Sequence, residues 1–235
     1  MPREISARGT FAFTRGVSVV AGPDAEDRFT ARELTEALRD RRVPIAPAGV
    51  AGVVTVRLLR RDTPEGRDAL RRSGLALDTA MIAEGYVLTA EPATGGVAGR
   101  VEVVAANGAG LFYGAQTVAQ LIDGDGPRAR LLSVRIRDWP AVRWRGLHDD
   151  LSRGSVPTLE FQKQQIRTLA AYKVNVYSPY FEHTLAYASN PLPAPPGGVM
   201  TRDDARELAA YARRYHVEII PEQQSFGHLH HFFMY

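Results

Sequence analysis

The sequence predicts an α+β N-terminal domain over residues 1–139, followed over residues 140–235 by an incomplete (β/α) barrel of the TIM type, ordered β-α-β-α-β. Three observations predict it. Short β-branched runs mix irregularly with amphipathic helices up to Trp139, strict strand-helix alternation begins after Asp138-Trp139-Pro140, and each strand of the alternating part ends in carboxylate or imidazole residues.

Composition narrows the partners. With 235 residues, 45% hydrophobic and 23% charged, the chain holds enough apolar material for one large domain or two modest ones, so disorder is not the default. A formal charge of +3 would suit phosphate binding, but acidic residues interleave with the 29 basic ones, of which only Lys163 and Lys173 are lysines. No aromatic-plus-basic motif accompanies them, so no nucleic-acid partner is predicted. The absence of cysteine removes disulfides and thiolate metal sites. Met1-Pro2-Arg3-Glu4-Ile5-Ser6 lacks the pattern of a secretion signal, and no apolar run approaches about 18 residues. No membrane partner is predicted, and a cytoplasmic location is expected unless an upstream start restores a signal segment.

In the first part, Val17–Ala21 reads as a strand and Ala25–Arg39 as an amphipathic helix; Val53–Leu59 and Tyr86–Thr89 are β-branched runs. Val101–Ala105 is a further strand, followed by a helix over Gly110–Ile122 and a strand over Leu131–Ile136. Such an order predicts a sheet with helices against one face. Asn107-Gly108-Ala109-Gly110-Leu111-Phe112-Tyr113-Gly114 lies at a strand-to-helix turn. Its spacing fits neither G-x-G-x-x-G nor a Walker motif, so a tight turn and close helix packing are favoured over a phosphate cradle. Leu111, Phe112, Ala115, Val118, Ala119 and Ile122 recur at helical spacing and read as core.

In the second part, Trp144–Leu151 reads as a strand, and Thr158 caps a helix to Tyr172 with Glu160 in its positively polarised first turn. Val174–Tyr177 is the next strand. A Pro-rich loop through Pro191, Pro193, Pro195 and Pro196 leads to Thr201-Arg202-Asp203-Asp204, which starts a helix to Tyr215, and Val217–Ile220 is the third strand. Alternation of this kind implies parallel pairing with right-handed crossovers, and chemistry gathers at the strand C-termini.

Those ends carry Asp149 and Asp150, then Glu182 and His183, then Glu222, Gln223, Gln224 and His228. Each has a bland reading: Asp149 or Asp150 caps a loop or pairs with Arg153, and Glu182 and His183 are solvated. Convergence at three successive ends favours an active-site rim. His228 and His231 share a helix face with His230 between them, but neither a H-E-x-x-H spacing nor a thiolate supports zinc, so no metal and no cofactor are predicted.

From about Val17 onward the chain resembles glycoside hydrolase family 20, the β-N-acetylhexosaminidases. Glu84-Gly85-Tyr86-Val87-Leu88 and Gly110 through Thr117 resemble the small domain that precedes the family's barrel. Arg137 through Arg153, Tyr172-Lys173-Val174-Asn175, and Pro221-Glu222 with Phe226-Gly227-His228 resemble its first three barrel strands. The resemblance implies a retaining hydrolase of terminal N-acetylhexosamine in which the substrate's 2-acetamido oxygen is the nucleophile, an Asp orients the acetamide and a neighbouring Glu is the general acid. It implies that Arg145 holds ring hydroxyls, that Asp150 is the carboxylate closing the first strand, and that His228 with an acidic partner tunes the general acid.

Two residues depart from the family pattern: Glu182-His183 stands where an aspartate commonly pairs with that histidine, and Gly154 stands where a histidine often follows Ser-Arg. No Asp-Glu dipeptide occurs after residue 143, so the general acid is expected beyond Tyr235 and the isolated chain is expected to be inactive. Residues 143–235 fall far short of the typical barrel of about 250. Open sheet edges are expected to favour self-association. The alternatives are a non-catalytic carbohydrate-binding fragment and a fragment resembling the family 84 O-GlcNAc hydrolases.

Overall fold

The computed structural model describes residues 2–234, in two compact units, Met1–Ala141 and Val142–Tyr235. The first contains, in order, β1 (Glu4–Ala12), β2 (Val17–Ala21), α1 (Ala25–Asp40), β3 (Val54–Arg60), α2 (Pro64–Ser73), β4 (Tyr86–Glu91), β5 (Arg100–Ala105), α3 (Gly108–Gln120), β6 (Ile122–Asp123) and β7 (Arg130–Asp138). They build one mixed sheet in the order β1-β7-β4-β5-β3-β2, with β6 against β7. Strands β2, β3 and β5 run parallel; β1, β4, β6 and β7 pair antiparallel.

The central strands explain the layering. Five of the six residues of β4 and of β5 are buried, so both faces of the sheet need cover. Helices α1 and α3 pack together on the face that carries Val103 and Ala105. Helix α2 covers the other face, where its Ala69 packs with Val87, Val104 and Met81 and with the partly buried Leu59 and Leu70. The expectation of helices on one face is corrected accordingly. The sequence reading missed α2, which Thr63 caps through the Gly66 amide at 3.1 Å, with Pro64 at its start and Gly74 left-handed (φ 63°) at its end. It also missed β1, most of which is exposed, so no hydrophobic alternation marks it.

Helix α3 sits unusually close to the sheet. A Cβ on Gly110 would lie 2.5 Å from the Gly85 carbonyl oxygen and 2.7 Å from Ala105 Cβ, and one on Gly114 would lie 2.3 Å from Val103 Cγ1. The Glu26 carboxylate stands beside Gly108 at the positive end of this helix, and Asn107 Oδ1 accepts from the Gly110 amide at 3.0 Å. The glycine-rich turn therefore serves packing. Its helix end is already occupied by negative charge, which disfavours a phosphate there. Deeper in, Tyr86 donates to Asp138 at 2.8 Å and meets the Thr117 hydroxyl at 2.6 Å; burial and the facing carboxylate push the phenol's pKa up. Asp27, fully buried, accepts both arms of Arg60 at 2.9 and 2.6 Å and ties α1 to β3.

The second unit contains β8 (Gly146–Asp150), α4 (Leu159–Ala171), β9 (Val176–Phe181), α5 (Arg202–Arg214), β10 (Glu218–Ile219), β11 (Glu222–Gln223) and α6 (His230–Phe233). The described strands form an open parallel sheet, β8 on one side of β9 and β10 with β11 on the other. Strand β9 begins two residues later than predicted and runs to Phe181, because Lys173 and Val174 are used to end α4. The third strand is split: Pro221 has no amide to donate, and pairing resumes at Glu222. Thr158 and Thr201 cap α4 and α5 as predicted, the latter in a reciprocal box with Asp204.

Both helices end in the same Schellman turn. Lys173 (φ 59°) and His216 (φ 57°) are left-handed; Val174 bonds back to Leu169 at 3.0 Å and Val217 to Ala212 at 3.0 Å. Arg42 (φ 56°) and Val43 repeat this after α1, with Val43 bonded to Leu38 at 3.0 Å.

Substitution of Gly114 by alanine is expected to cost about 1–3 kcal/mol through overpacking. The loss would be read as a lowered urea midpoint; an unchanged midpoint would contradict the close approach of α3.

Candidate active site

Pleating along β8 separates its two aspartates. Asp149 faces the helix layer, where its Oδ2 accepts from Gln165 at 3.1 Å and from the Tyr177 hydroxyl at 2.9 Å. Burial and this carboxylate push the Tyr177 phenol's pKa up. Asp150 takes the opposite face with His148, and the parallel register adds Tyr180 and Glu222 to that face. The structure thus gives Asp149 to packing and leaves Asp150 at the strand ends.

Arg153, in the loop after β8, is the hub of this cluster. Its Nη1 donates to Asp150 Oδ2 at 2.7 Å, and its Nη2 donates to Glu182 Oε1 at 2.8 Å and lies 3.1 Å from His228 Nδ1. The guanidinium also lies over the Tyr180 ring, 5.7 Å from its centre. Hydrogen bonding to Asp150 leads the causes that raise the Arg153 pKa, so the cation is permanent. Burial alone would raise the Asp150 carboxyl, but the Ser152 hydroxyl and amide, at 2.6 and 2.9 Å, together with Arg153 outweigh it and hold the group down to about 2.

Glu182 is almost fully buried, 3% exposed, and accepts from the Tyr180 hydroxyl at 2.8 Å as well as from Arg153. Its Oε1 stands 3.8 Å from His228 Nδ1, so Glu182 is the acid nearest that histidine. His228 is held left-handed at φ 55°, strain of about 1–2 kcal/mol that only the surrounding contacts maintain.

Three predicted residues stand outside the hub. Glu222 pairs instead with His148, Nε2 to Oε2 3.0 Å, and the His148 ring lies 5.9 Å from that of Tyr180. His183 directly follows Glu182 and is half-buried. Arg145 precedes β8, at the opposite end of the strand from Asp150, roughly 16 Å away at 3.3 Å per residue. Its Nε donates to the Lys173 carbonyl at 2.7 Å and its Nη1 to the carbonyls of Val142 and Arg143 at 3.0 and 3.1 Å. It staples the strand entry, and the guanidinium at the strand ends is that of Arg153.

His148 was missed altogether, although it lies two residues before Asp150 and shares its face by simple alternation. Among the described residues no three His, Cys, Asp or Glu side chains converge as a metal-ligand set, and no helix is long and apolar enough to cross a membrane. The side chain of His231, and Tyr235, lie outside the described residues.

The sequence pattern of glycosyl hydrolase family 20, domain 2, matches residues 1–139, more than half of the chain, and the chain belongs to that family. A β-hexosaminidase of Vibrio vulnificus is 26% identical over 160 residues, covering 54% of this chain and 18% of its own length. The family 20 β-N-acetylhexosaminidase of Streptomyces coelicolor is 26% identical with a TM-score of 0.70, covering 94% of this chain and 44% of its own. A mutant Streptomyces plicatus β-hexosaminidase solved with its product GlcNAc is 25% identical with a TM-score of 0.67, over the same shares. The chain therefore spans less than half the length of these relatives.

The stabilisation carried by ionised Asp150 is complete above the unfolded carboxylate value of about 3.9. It is lost as pH falls through about 2. Asp150→Asn removes it, so the denaturant midpoint of the unmodified chain is expected to fall more steeply between pH 5 and pH 2 than that of the variant.

Proposed function

We propose that this chain is part of a retaining β-N-acetylhexosaminidase, and that it supplies one wall of the pocket for a terminal N-acetylhexosamine on a glycan. The observation that carries the reading is the convergence of Asp150, Glu182 and His228 on Arg153 at the strand C-termini, in a chain of family 20. The GlcNAc product in the Streptomyces plicatus structure supports the substrate class. The strands of the second unit read as the opening of a (β/α) barrel.

The chemistry of each group follows. Arg153 offers a fixed fork of donors to vicinal sugar hydroxyls, while Asp150 and Glu182 hold the fork in place and His228 completes its rim. Cleavage requires an oxocarbenium-like transition state, a 2-acetamido oxygen as internal nucleophile and a protonated leaving oxygen. None of these strand-end carboxylates is placed as the proton donor. Asp150 is held ionised, Glu182 is bound to a permanent cation, and Glu222 is engaged by His148. The Asp-Glu pair that performs acid catalysis and acetamide orientation is assigned to another part of the whole enzyme. The outer edges of β8 and of β10 with β11, unpaired among the described residues, suit further strands or a second copy.

The purified 235-residue chain is expected to bind N-acetylglucosamine detectably in saturation-transfer NMR and to release no phenol from an aryl N-acetyl-β-glucosaminide. Arg153→Ala is expected to weaken binding about tenfold or more, since hydrogen bonds to charged groups carry about 1.5–3 kcal/mol. Turnover by the purified chain would refute the missing proton donor, and unchanged binding by the variant would refute the role of Arg153.

A further inference from the structure

The first unit carries a cavity of about 620 Å³ that the glycosidase reading does not use. It opens over the middle of β1 and β7 and the adjoining ends of β4 and β5, on the sheet face that α2 covers only in part, and the 92–98 loop forms its rim. Its charged lining is Arg8, Arg100, Arg135 and Glu91, three cations against one anion. Glu91 is already committed to Arg100 at 2.7 Å. Among the described residues, neither Arg8 nor Arg135 has an acidic partner within 4.0 Å. The Nε of Arg100 is shielded from water without a hydrogen-bond acceptor, the Glu102 carboxylate standing 3.7 Å off.

These features need an explanation. Several arginines elsewhere in the chain are held by carboxylates: Arg60 by Asp27, Arg72 by Glu102, Arg137 by Glu4 and Asp78. Two guanidinium groups without acidic partners line the same concavity as Arg100, and a concave low-dielectric wall focuses their positive field. The size falls within the range of small-ligand sites, about 300–1,000 Å³. Guanidinium forks match the paired oxygens of carboxylates, sulfates and phosphates. Thr94 adds a hydroxyl, and the exposed Val97 adds apolar surface on which a small ring can rest.

We propose that this cavity binds an oxyanion, a carboxylate, sulfate or phosphate group, with Arg8, Arg100 and Arg135 as its ligands. The site does not rest on the hexosaminidase reading, because none of its residues belongs to the strand-end cluster. Two sources of such a group differ in what surrounds it: a free inorganic anion fills only the arginine cluster, whereas an acidic sugar also uses the apolar wall.

The test is titration of the full chain with sodium sulfate, sodium glucuronate and neutral N-acetylglucosamine at constant ionic strength, followed by amide NMR shifts of residues 90–100 and 133–135. Saturable shifts with the anions and none with the neutral sugar are expected. In Arg8→Glu with Arg135→Glu, both exposed positions, the apparent Kd for the anions is expected to rise at least tenfold, while the amide spectrum of residues 142–234 stays unchanged. Tighter glucuronate than sulfate supports an acidic sugar; equal or tighter sulfate supports a free anion. Shifts that do not saturate, or that persist undiminished in the double variant, overturn the proposal.

Discussion

Alternation of side chains across a pleated strand is the constraint on which both units depend. In β8 it sends Asp149 to the helices and Asp150 to the open face, so two adjacent and chemically identical residues receive different work. In β4 and β5 it places apolar residues on both faces and obliges the chain to cover the sheet twice, with α1 and α3 on one side and α2 on the other. A shift of pairing by one residue would exchange every one of these assignments.

Electrostatics then refines what alternation allows. Arg153 gathers a nearly buried glutamate, an ionised aspartate and a histidine around one cation, and its delocalised fork lets it meet all three at once. A buried carboxylate such as Glu182 persists because both a phenol and a guanidinium satisfy it. The result is a cluster whose acidic groups are fixed as hydrogen-bond acceptors.

Much of the fold was legible in the sequence. Strands β2, β3, β4, β5, β7 and β8 and helices α1, α3, α4 and α5 lie where hydrophobic periodicity and the Thr158 and Thr201 caps put them, because burial and capping act locally. Strand β1 was not legible, since it is an edge strand held by backbone pairing to β7 with little apolar burial. Of the residues singled out in the sequence, Asp150, Glu182 and His228 come together around Arg153, whereas Arg145 stands at the other end of β8. Arg145 and Arg153 are equally polar in the sequence, and only the direction of β8 assigns one to the strand entry and the other to the strand ends. His148 escaped because a lone histidine inside a strand carries no motif.

The left-handed residues that close α1, α4 and α5 are Arg42, Lys173 and His216, where glycine is the customary choice. Each gives up about 1 kcal/mol of conformational comfort, part of which its side chain regains beside the helix's negative end. A glycine-free joint has fewer rotational options when unfolded. The chain consequently surrenders less backbone freedom on folding at each of these three junctions than it would at a glycine.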